Sequence, residues 1–336
     1  MGDALTRVAR DNARHPVREY LEGLPPCEDP AATLEDFAVK GIGAKTPLDC
    51  LLIRKFLVAA VRRILNPGVK HDGVLVLFGP QGTGKSSLLY ALSPQGRWVQ
   101  ESLPDLENKD ACEALRGRWL VEIAELQALI RKSEEVAKDF LSRQEDSYRR
   151  PYDRGTSRYP RQCVFIATTN TKEMLRDVTG ARRYWTIETS GIDVPWVEMN
   201  RDLIWSAALH LATTEPAASH HLTSDERTQL DDSQEGFKQR DPWHEQVEGF
   251  LAGKQKVGNL EEVWLGALHG LGPAFGEGMR ADAIRAFDKK SRDRLASVMR
   301  ACGWETKTFR EEPGGPKRRG WTRVAKAHVP GTREDA

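Results

Sequence analysis

Gly79, Gly84, Lys85 and Ser86 occur at the spacing G-x-x-x-x-G-K-S, inside the run Gly79-Pro80-Gln81-Gly82-Thr83-Gly84-Lys85-Ser86-Ser87. Glycines at this spacing let a turn curl so that its backbone N–H groups point inward, where they can meet a polyphosphate. In such a loop Lys85 would reach the β- and γ-phosphates and Ser86 would ligate Mg²⁺, so ATP and Mg²⁺ are the expected cofactors. The flanks fit: Val74 to Phe78 is an apolar run with the composition of a buried strand, and the residues from Ser86 to Leu92 can open a helix. Strand, loop and helix come in the order the chemistry needs.

A phosphate loop needs an acidic partner on a neighbouring strand. Trp119 to Ile123 is apolar apart from Glu122 and is followed by Glu125, so both are candidates to hold the metal or orient water. Glu125 is preferred because it falls where the strand should end, at the crevice outside the carboxyl edge of a sheet. Glu122 is the second choice, and both could instead be solvated charge. The next apolar run, Cys163 to Thr168, leads to Thr169-Asn170, where the amide of Asn170 could sense a γ-phosphate or simply make a turn. Arg182 and Arg183 follow Gly180 and could neutralise charge in phosphoryl transfer or serve as structural ion pairs.

Arginine and tyrosine interleave between Glu145 and Arg161. Arg149, Arg150, Tyr152, Arg154, Arg158 and Tyr159 suit single-stranded DNA, since guanidinium groups neutralise phosphates while rings stack on bases. Pro151 and Gly155 favour a hairpin. A solvated basic loop or a subunit contact would read the same way. A second basic cluster, Lys317, Arg318 and Arg319, follows a helical stretch, Arg292 to Cys302, and the turn Pro313-Gly314-Gly315-Pro316. Helix followed by a basic hairpin is the outline of a winged helix, which would suit origin duplex DNA or protein contacts.

The elements that must position these groups read as an α/β chain. Strand-like runs at Val74 to Phe78, Trp119 to Ile123, Cys163 to Thr168 and Tyr184 to Ile187 alternate with helical stretches, as in a sheet with crossover helices. Helical spacing at Val17 to Leu24 and Leu51 to Leu65, around a less regular stretch near Gly41-Ile42-Gly43, predicts a helical region over 1–70. The core is expected over 71–212, a linker over 213–240 and a C-terminal domain over 241–336, ending in a frayed tail.

Composition sets looser bounds. With 336 residues, 39% hydrophobic and 29% charged, the chain is ordinary for globular protein, and a net charge of +1 puts any binding surface down to local clustering. The five cysteines are scattered without C-x-x-C spacing, which argues against disulfides or a zinc site. Met1-Gly2-Asp3 does not open a signal peptide and no apolar run approaches a membrane span, so a soluble, cytoplasmic protein without membrane partners is expected.

Taken in order, GPQGTGKS, WLVEIAEL, EDSYRRPYDR, VFIATTN and DVTGARRYW resemble the virulence-associated protein E family, whose core is similar to superfamily 3 helicases of phages and mobile elements. The likeness begins near His15 and runs through the core, with a looser match to about Trp321. It implies a P-loop, AAA+-like ATPase and helicase that forms a homo-oligomeric ring, a hexamer, hydrolyses ATP at subunit interfaces and moves on single-stranded DNA in replication. Lys85 and Ser86 would then be the first nucleotide motif, Glu125 the second, Asn170 the first sensor, and Arg182 or Arg183 the arginine finger. The hairpin would grip DNA, with Arg154 and Arg158 at its tip. One departure stands out: the Asp-Glu pair usual in AAA+ proteins is here Ala124-Glu125. Many relatives carry a primase-polymerase domain ahead of the helicase. None fits in this chain, so a separate primase or polymerase is an expected partner.

Overall fold

Val74, Val76 and Leu75, Leu77 alternate between two faces of one strand, and each pair lies in a different apolar core. A strand covered on both faces loses the polar alternation of a solvent-facing one, which is why 74–78 reads as an unbroken apolar run. The structure, a computed structural model, describes residues 14–104, 106–124, 126, 134–149, 155–172, 181–234, 237, 241–272, 277–310 and 317–324. The chain divides into two compact units, Met1–Gln239 and Arg240–Ala336.

The first unit is built on a parallel five-stranded sheet of order β2-β3-β6-β1-β7. Its strands are β1 (Val74–Phe78), β2 (Val99–Gln100), β3 (Leu120–Ala124), β6 (Val164–Thr169) and β7 (Tyr184–Glu188). On one face pack α1 (Pro16–Glu22), α2 (Pro30–Asp36), α3 (Pro47–Leu65), α4 (Ser87–Leu92) and α7 (Val194–Thr214), around Leu52, Phe56, Trp119 and Trp205. The indoles of Trp119 and Trp205 lie 4.2 Å apart, and their N–H groups donate to the carbonyls of Ala60 and Leu92. The other face is covered by α5 (Lys109–Ala114) and α6 (Glu134–Ser142), around Phe140, Phe165 and Tyr184. The N-terminal helices thus share a core with the sheet.

Helix α3 starts at a capping box, Thr46 with Asp49, and Pro47 takes the first position, where a missing N–H is harmless. Ahead of it, Phe37–Ile42 forms a π-helical turn in the stretch expected to be irregular, closed by Gly43 at φ 82°. Another expectation needs correcting. Helix α7 continues to Thr214, and 215–234 is packed chain containing α8 (Ser224–Ser233), with His220 and Leu230 fully buried. Polar composition suggested a linker over 213–240; the Thr223 capping box, the buried Leu230, the ion pair of Lys55 with Glu226 at 3.1 Å and the bond from Gln234 to the Tyr184 carbonyl dock this polar helix.

Beside the sheet, β4 (Glu145–Tyr148) and β5 (Ser157–Pro160) form an antiparallel pair with Ser147 opposite Arg158.

The second unit has its own core, including Val247, Leu251, Trp264, Leu295, Met299, Trp304 and Trp321. Its elements are α9 (His244–Leu251), β8 (Lys256–Val257), α10 (Leu260–Val263), α11 (Glu277–Arg285), α12 (Lys289–Ala301), β9 (Trp304–Arg310) and β10 (Lys317–Arg323). The strands form an antiparallel sheet of order β8-β10-β9. Helix α12 begins at Asp288, whose side chain caps the Ser291 N–H, and is stopped by Gly303 at φ 78°. Among the described residues, no helix is long and apolar enough to cross a membrane.

Candidate functional site

Residues 79–86 leave the carboxyl end of β1, the strand paired with β6 on one side and β7 on the other. The Gly79 N–H donates to the Thr169 carbonyl at 3.2 Å, and a Cβ on Gly79 would stand 2.2 Å from the Thr189 carbonyl oxygen, so only glycine fits there. Gly82 and Gly84 have φ of 79° and 82°, a left-handed backbone that side chains other than glycine's resist. The turn is braced from below: Ile192 N–H donates to the Thr83 carbonyl at 2.9 Å, and Thr189 N–H to Phe78 at 2.8 Å.

Lys85 folds back over this turn. Its ammonium donates to the carbonyls of Gly79, at 2.9 Å, and Pro80, and to Thr83 Oγ1 at 3.2 Å. Partial burial lowers its pKa from the ordinary lysine value. Ser86 points the other way, donating to Glu122 Oε1 at 2.6 Å. The same carboxylate oxygen accepts from Thr168 Oγ1 at 3.0 Å. Glu122 is only 5% exposed, and a buried carboxylate needs such partners. It sits in β3 opposite Ile166 of β6, which brings it under the loop.

A hydroxyl and a carboxylate meeting beside a curled loop are hard oxygen donors of the kind Mg²⁺ takes when it binds with a phosphate and waters. Ser86 and Glu122 therefore fit such an ion in partnership with a triphosphate, and no group of three His, Cys, Asp or Glu side chains that could hold a metal alone occurs among the described residues. The sequence ranked Glu125 first. Glu125 lies outside the described residues, and the structure brings Glu122 to Ser86. Thr168 was missed as a partner because register between β3 and β6 is not written in either strand.

Asn170 follows β6 directly and is exposed, with its Oδ1 accepting from Thr171 Oγ1 at 3.4 Å. Arg182 and Arg183 sit elsewhere. They end a short 3-10 turn just before β7, and Tyr184 aligns with Val74, so they lie at the amino edge of the sheet while the loop lies at its carboxyl edge. At about 3.3 Å per residue, roughly 20 Å of strand separates them from Gly79, farther than an arginine side chain extends. Arg183 is half-buried, its Nε 3.8 Å from Asp72 Oδ2, whereas Arg182 is exposed.

Of the basic hairpin, Arg149 and Arg158 are exposed; Arg158 lies 3.4 Å from Glu145. The Tyr159 ring stacks on Tyr148 with centroids 4.6 Å apart. Arg150, Tyr152 and Arg154 lie outside the described residues. Arg161, not singled out in the sequence, is the buried anchor of the hairpin: Nε and Nη2 each donate to Asp146 at 2.8 Å, and Nη1 donates to the Phe140 carbonyl. In the second unit Lys317, Arg318 and Arg319 open β10 opposite Arg310, Phe309 and Thr308.

Residues 24–239 match the family model of the virulence-associated protein E-like domain. The structure is similar to an apo structure of the NrS-1 C-terminal region (305–718), with 12% identity, 90% of this chain and 78% of that chain covered, and a TM-score of 0.47. Two A-form apo structures of the same region match at 13% and 12% identity, each over 91% and 78% of the two chains, with TM-scores of 0.45 and 0.44. A comparison with curated proteins finds no match.

Proposed function

The chain belongs to the virulence-associated protein E-like family, and from that premise and the geometry around residues 79–86 we propose that it is an ATPase of phage or mobile-element replication that moves on single-stranded DNA as a ring. The observation that carries the reading is that Lys85, folded over the turn, and the Ser86–Glu122 pair on its other side all lie at the carboxyl edge of the sheet, with the two arginines at the other edge. A P-loop is the reading of 79–86 that accounts for both the glycine conformations and the lysine.

In this mechanism the loop N–H groups and Lys85 bind the β- and γ-phosphates, Lys85 exchanging the carbonyls of Gly79 and Pro80 for phosphate oxygens. The Ser86 hydroxyl and the Glu122 carboxylate would hold Mg²⁺, which would supply neutralisation of phosphate charge. Glu125 or Glu122 orients the attacking water, and Asn170 hydrogen-bonds it or the γ-phosphate. Because Arg182 and Arg183 cannot reach their own loop, the cation opposite the γ-phosphate comes from a neighbouring copy, and Arg182, the exposed one, is the better finger. Assembly into a ring, a hexamer in the resemblance, is then a requirement of the chemistry.

Movement would be passed to the hairpin of β4 and β5, with Arg154 and Arg158 as first choices for gripping the strand and Arg149, Arg150, Tyr152 and Tyr159 as further contacts. In the second unit α12 and the β9–β10 pair support a winged-helix reading, in which the helix meets origin duplex and Lys317, Arg318 and Arg319 its backbone. A separate primase or polymerase would supply primers.

A second reading, an ATP-gated assembly without unwinding, is favoured by Tyr159 and Arg158, whose side chains are already engaged with Tyr148 and Glu145. Strand displacement with ATP, on duplexes carrying a 3′ or a 5′ tail, separates the two. The helicase reading expects displacement from one tail only, lost in the Arg154→Ala/Arg158→Ala double variant. ATP hydrolysis without displacement from either tail would leave the gated assembly.

A further inference from the structure

Helix α3 carries three cations into the interior, and each holds backbone, Lys55 also pairing with Glu226 of α8 at 3.1 Å. Lys55 donates to the carbonyls of Ser219 and His221, at 2.9 and 2.7 Å. Arg62 donates to those of Ala212, Glu215, Pro216 and Ala217 and bonds His220 Nδ1 at 2.9 Å. Arg63 donates to the carbonyls of Cys163 and His71, at 3.1 and 2.6 Å. These bonds fix two stretches of chain, 70–72 and 212–221, whose side chains meet at the amino edge of the sheet.

There they wall a cavity of about 280 Å³ lined by Lys70, Asp72, Arg182, Trp185, His221 and Arg227, among others. Lys70 precedes β1, Arg182 precedes β7 and Arg227 stands on α8, so three cations arrive from three separate segments. All three are exposed, and among the described residues none of them has an ion pair. The one carboxylate in the wall, Asp72, faces Arg183. His71 is part of the same lining, buried, and its Nε2 has no hydrogen-bond partner.

Unpaired cations gathered in a concave site on a braced backbone raise the local potential, and two guanidinium groups favour a ligand with several oxygens on one centre. We infer that this cavity is a second anion site, separate from residues 79–86, which takes a terminal phosphate group through Lys70, Arg182 and Arg227. For free phosphate the inference goes beyond the ATPase reading and does not require turnover; for a nucleotide held by another copy it rests on that reading's placement of Arg182 and adds Lys70 and Arg227 to it. The phosphate can come free in solution, as inorganic phosphate or a polyphosphate, or on a nucleotide held by another copy of the chain.

Calorimetric titration of the full chain distinguishes these sources. The first arm uses Lys85→Ala protein, in which the loop lysine is gone, with tripolyphosphate as ligand. Saturable binding that weakens about tenfold or more in Arg227→Ala and Lys70→Ala backgrounds, with unchanged circular dichroism, is expected for free phosphate. The second arm uses a non-hydrolysable ATP analogue with protein carrying Lys85. If tripolyphosphate does not bind, the site still stands when Arg227→Ala weakens analogue binding only at concentrations where the chain self-associates. Indifference of both arms to Arg227→Ala and Lys70→Ala overturns the inference. ATP hydrolysis by either variant at the parent rate would leave the ATPase reading intact while that indifference removed this site.

Discussion

Lys85 rests on the carbonyls of its own turn, so its ammonium is already placed over the loop that would hold phosphates. Lys85→Ala should lower ATP turnover at least about a hundredfold, the order seen when one preorganised donor is removed from a transition state. Circular dichroism should stay unchanged, because the lysine spans only loop atoms. Glu122→Gln keeps the shape of the side chain and removes its charge. It should abolish Mg²⁺-dependent hydrolysis if Glu122 is the metal-side carboxylate, whereas Glu125→Gln should slow hydrolysis while sparing nucleotide binding; steady-state rates beside a fluorescent-nucleotide titration separate the two. At this scale the sequence was legible where a motif fixes spacing within one stretch, as at Gly79, Lys85 and Ser86. It was illegible where partners come from different strands: the contact of Ser86 with Glu122 and of Glu122 with Thr168 depends on the register of β3 against β6.

Elements carry the next set of consequences. The Arg161–Asp146 pair is buried on both sides, with side chains 1% and 4% exposed, and ties the hairpin to the Phe140 carbonyl. Asp146→Ala leaves a buried guanidinium uncompensated and should cost about 3–5 kcal/mol in urea unfolding of the first unit. Gly79→Ala pushes a methyl into the Thr189 carbonyl and should cost about 3 kcal/mol by the same measurement. The imidazoles behind α3 add a pH term. Burial holds His71 well below the ordinary histidine value, with Arg63 adding to the effect, and burial lowers His220 to about 4. A depressed folded pKa means the unfolded chain takes up protons first. The stability they contribute is complete above about 6.5 and is lost as pH falls toward 4, so the urea midpoint should drop across that window. The four longer strands of the parallel sheet were legible because burial on both faces makes them mostly apolar, with Glu122, Thr168, Thr169 and Thr186 as buried polar exceptions. The π-helical turn at Phe37–Ile42 and the docking of α8 were not, since neither has a periodic signal and each depends on what it packs against.

For the whole molecule, Arg182 and residues 79–86 lie at opposite ends of β1, so in the proposed mechanism an arginine finger would have to come from another copy of the chain. Lys85→Ala and Arg182→Ala proteins should each be inactive alone, and mixing them should restore part of the ATP hydrolysis, because some interfaces then pair an intact Lys85 with an intact Arg182. A mixture as inactive as its components would place the arginine outside the site. The chain's net charge of +1 gives no hint of any such surface, because its cations and carboxylates balance over the whole while clustering locally. The division into two units is likewise only partly written in composition, since the chain leading to it is packed rather than linker-like. The most direct test of the account is the rate of ATP hydrolysis by the full chain as single-stranded DNA is added, with Lys85→Ala as control. The account predicts a rate that rises and saturates with DNA in the parent and is absent in the variant; a parent rate indifferent to DNA, or one that Lys85→Ala leaves standing, would contradict it.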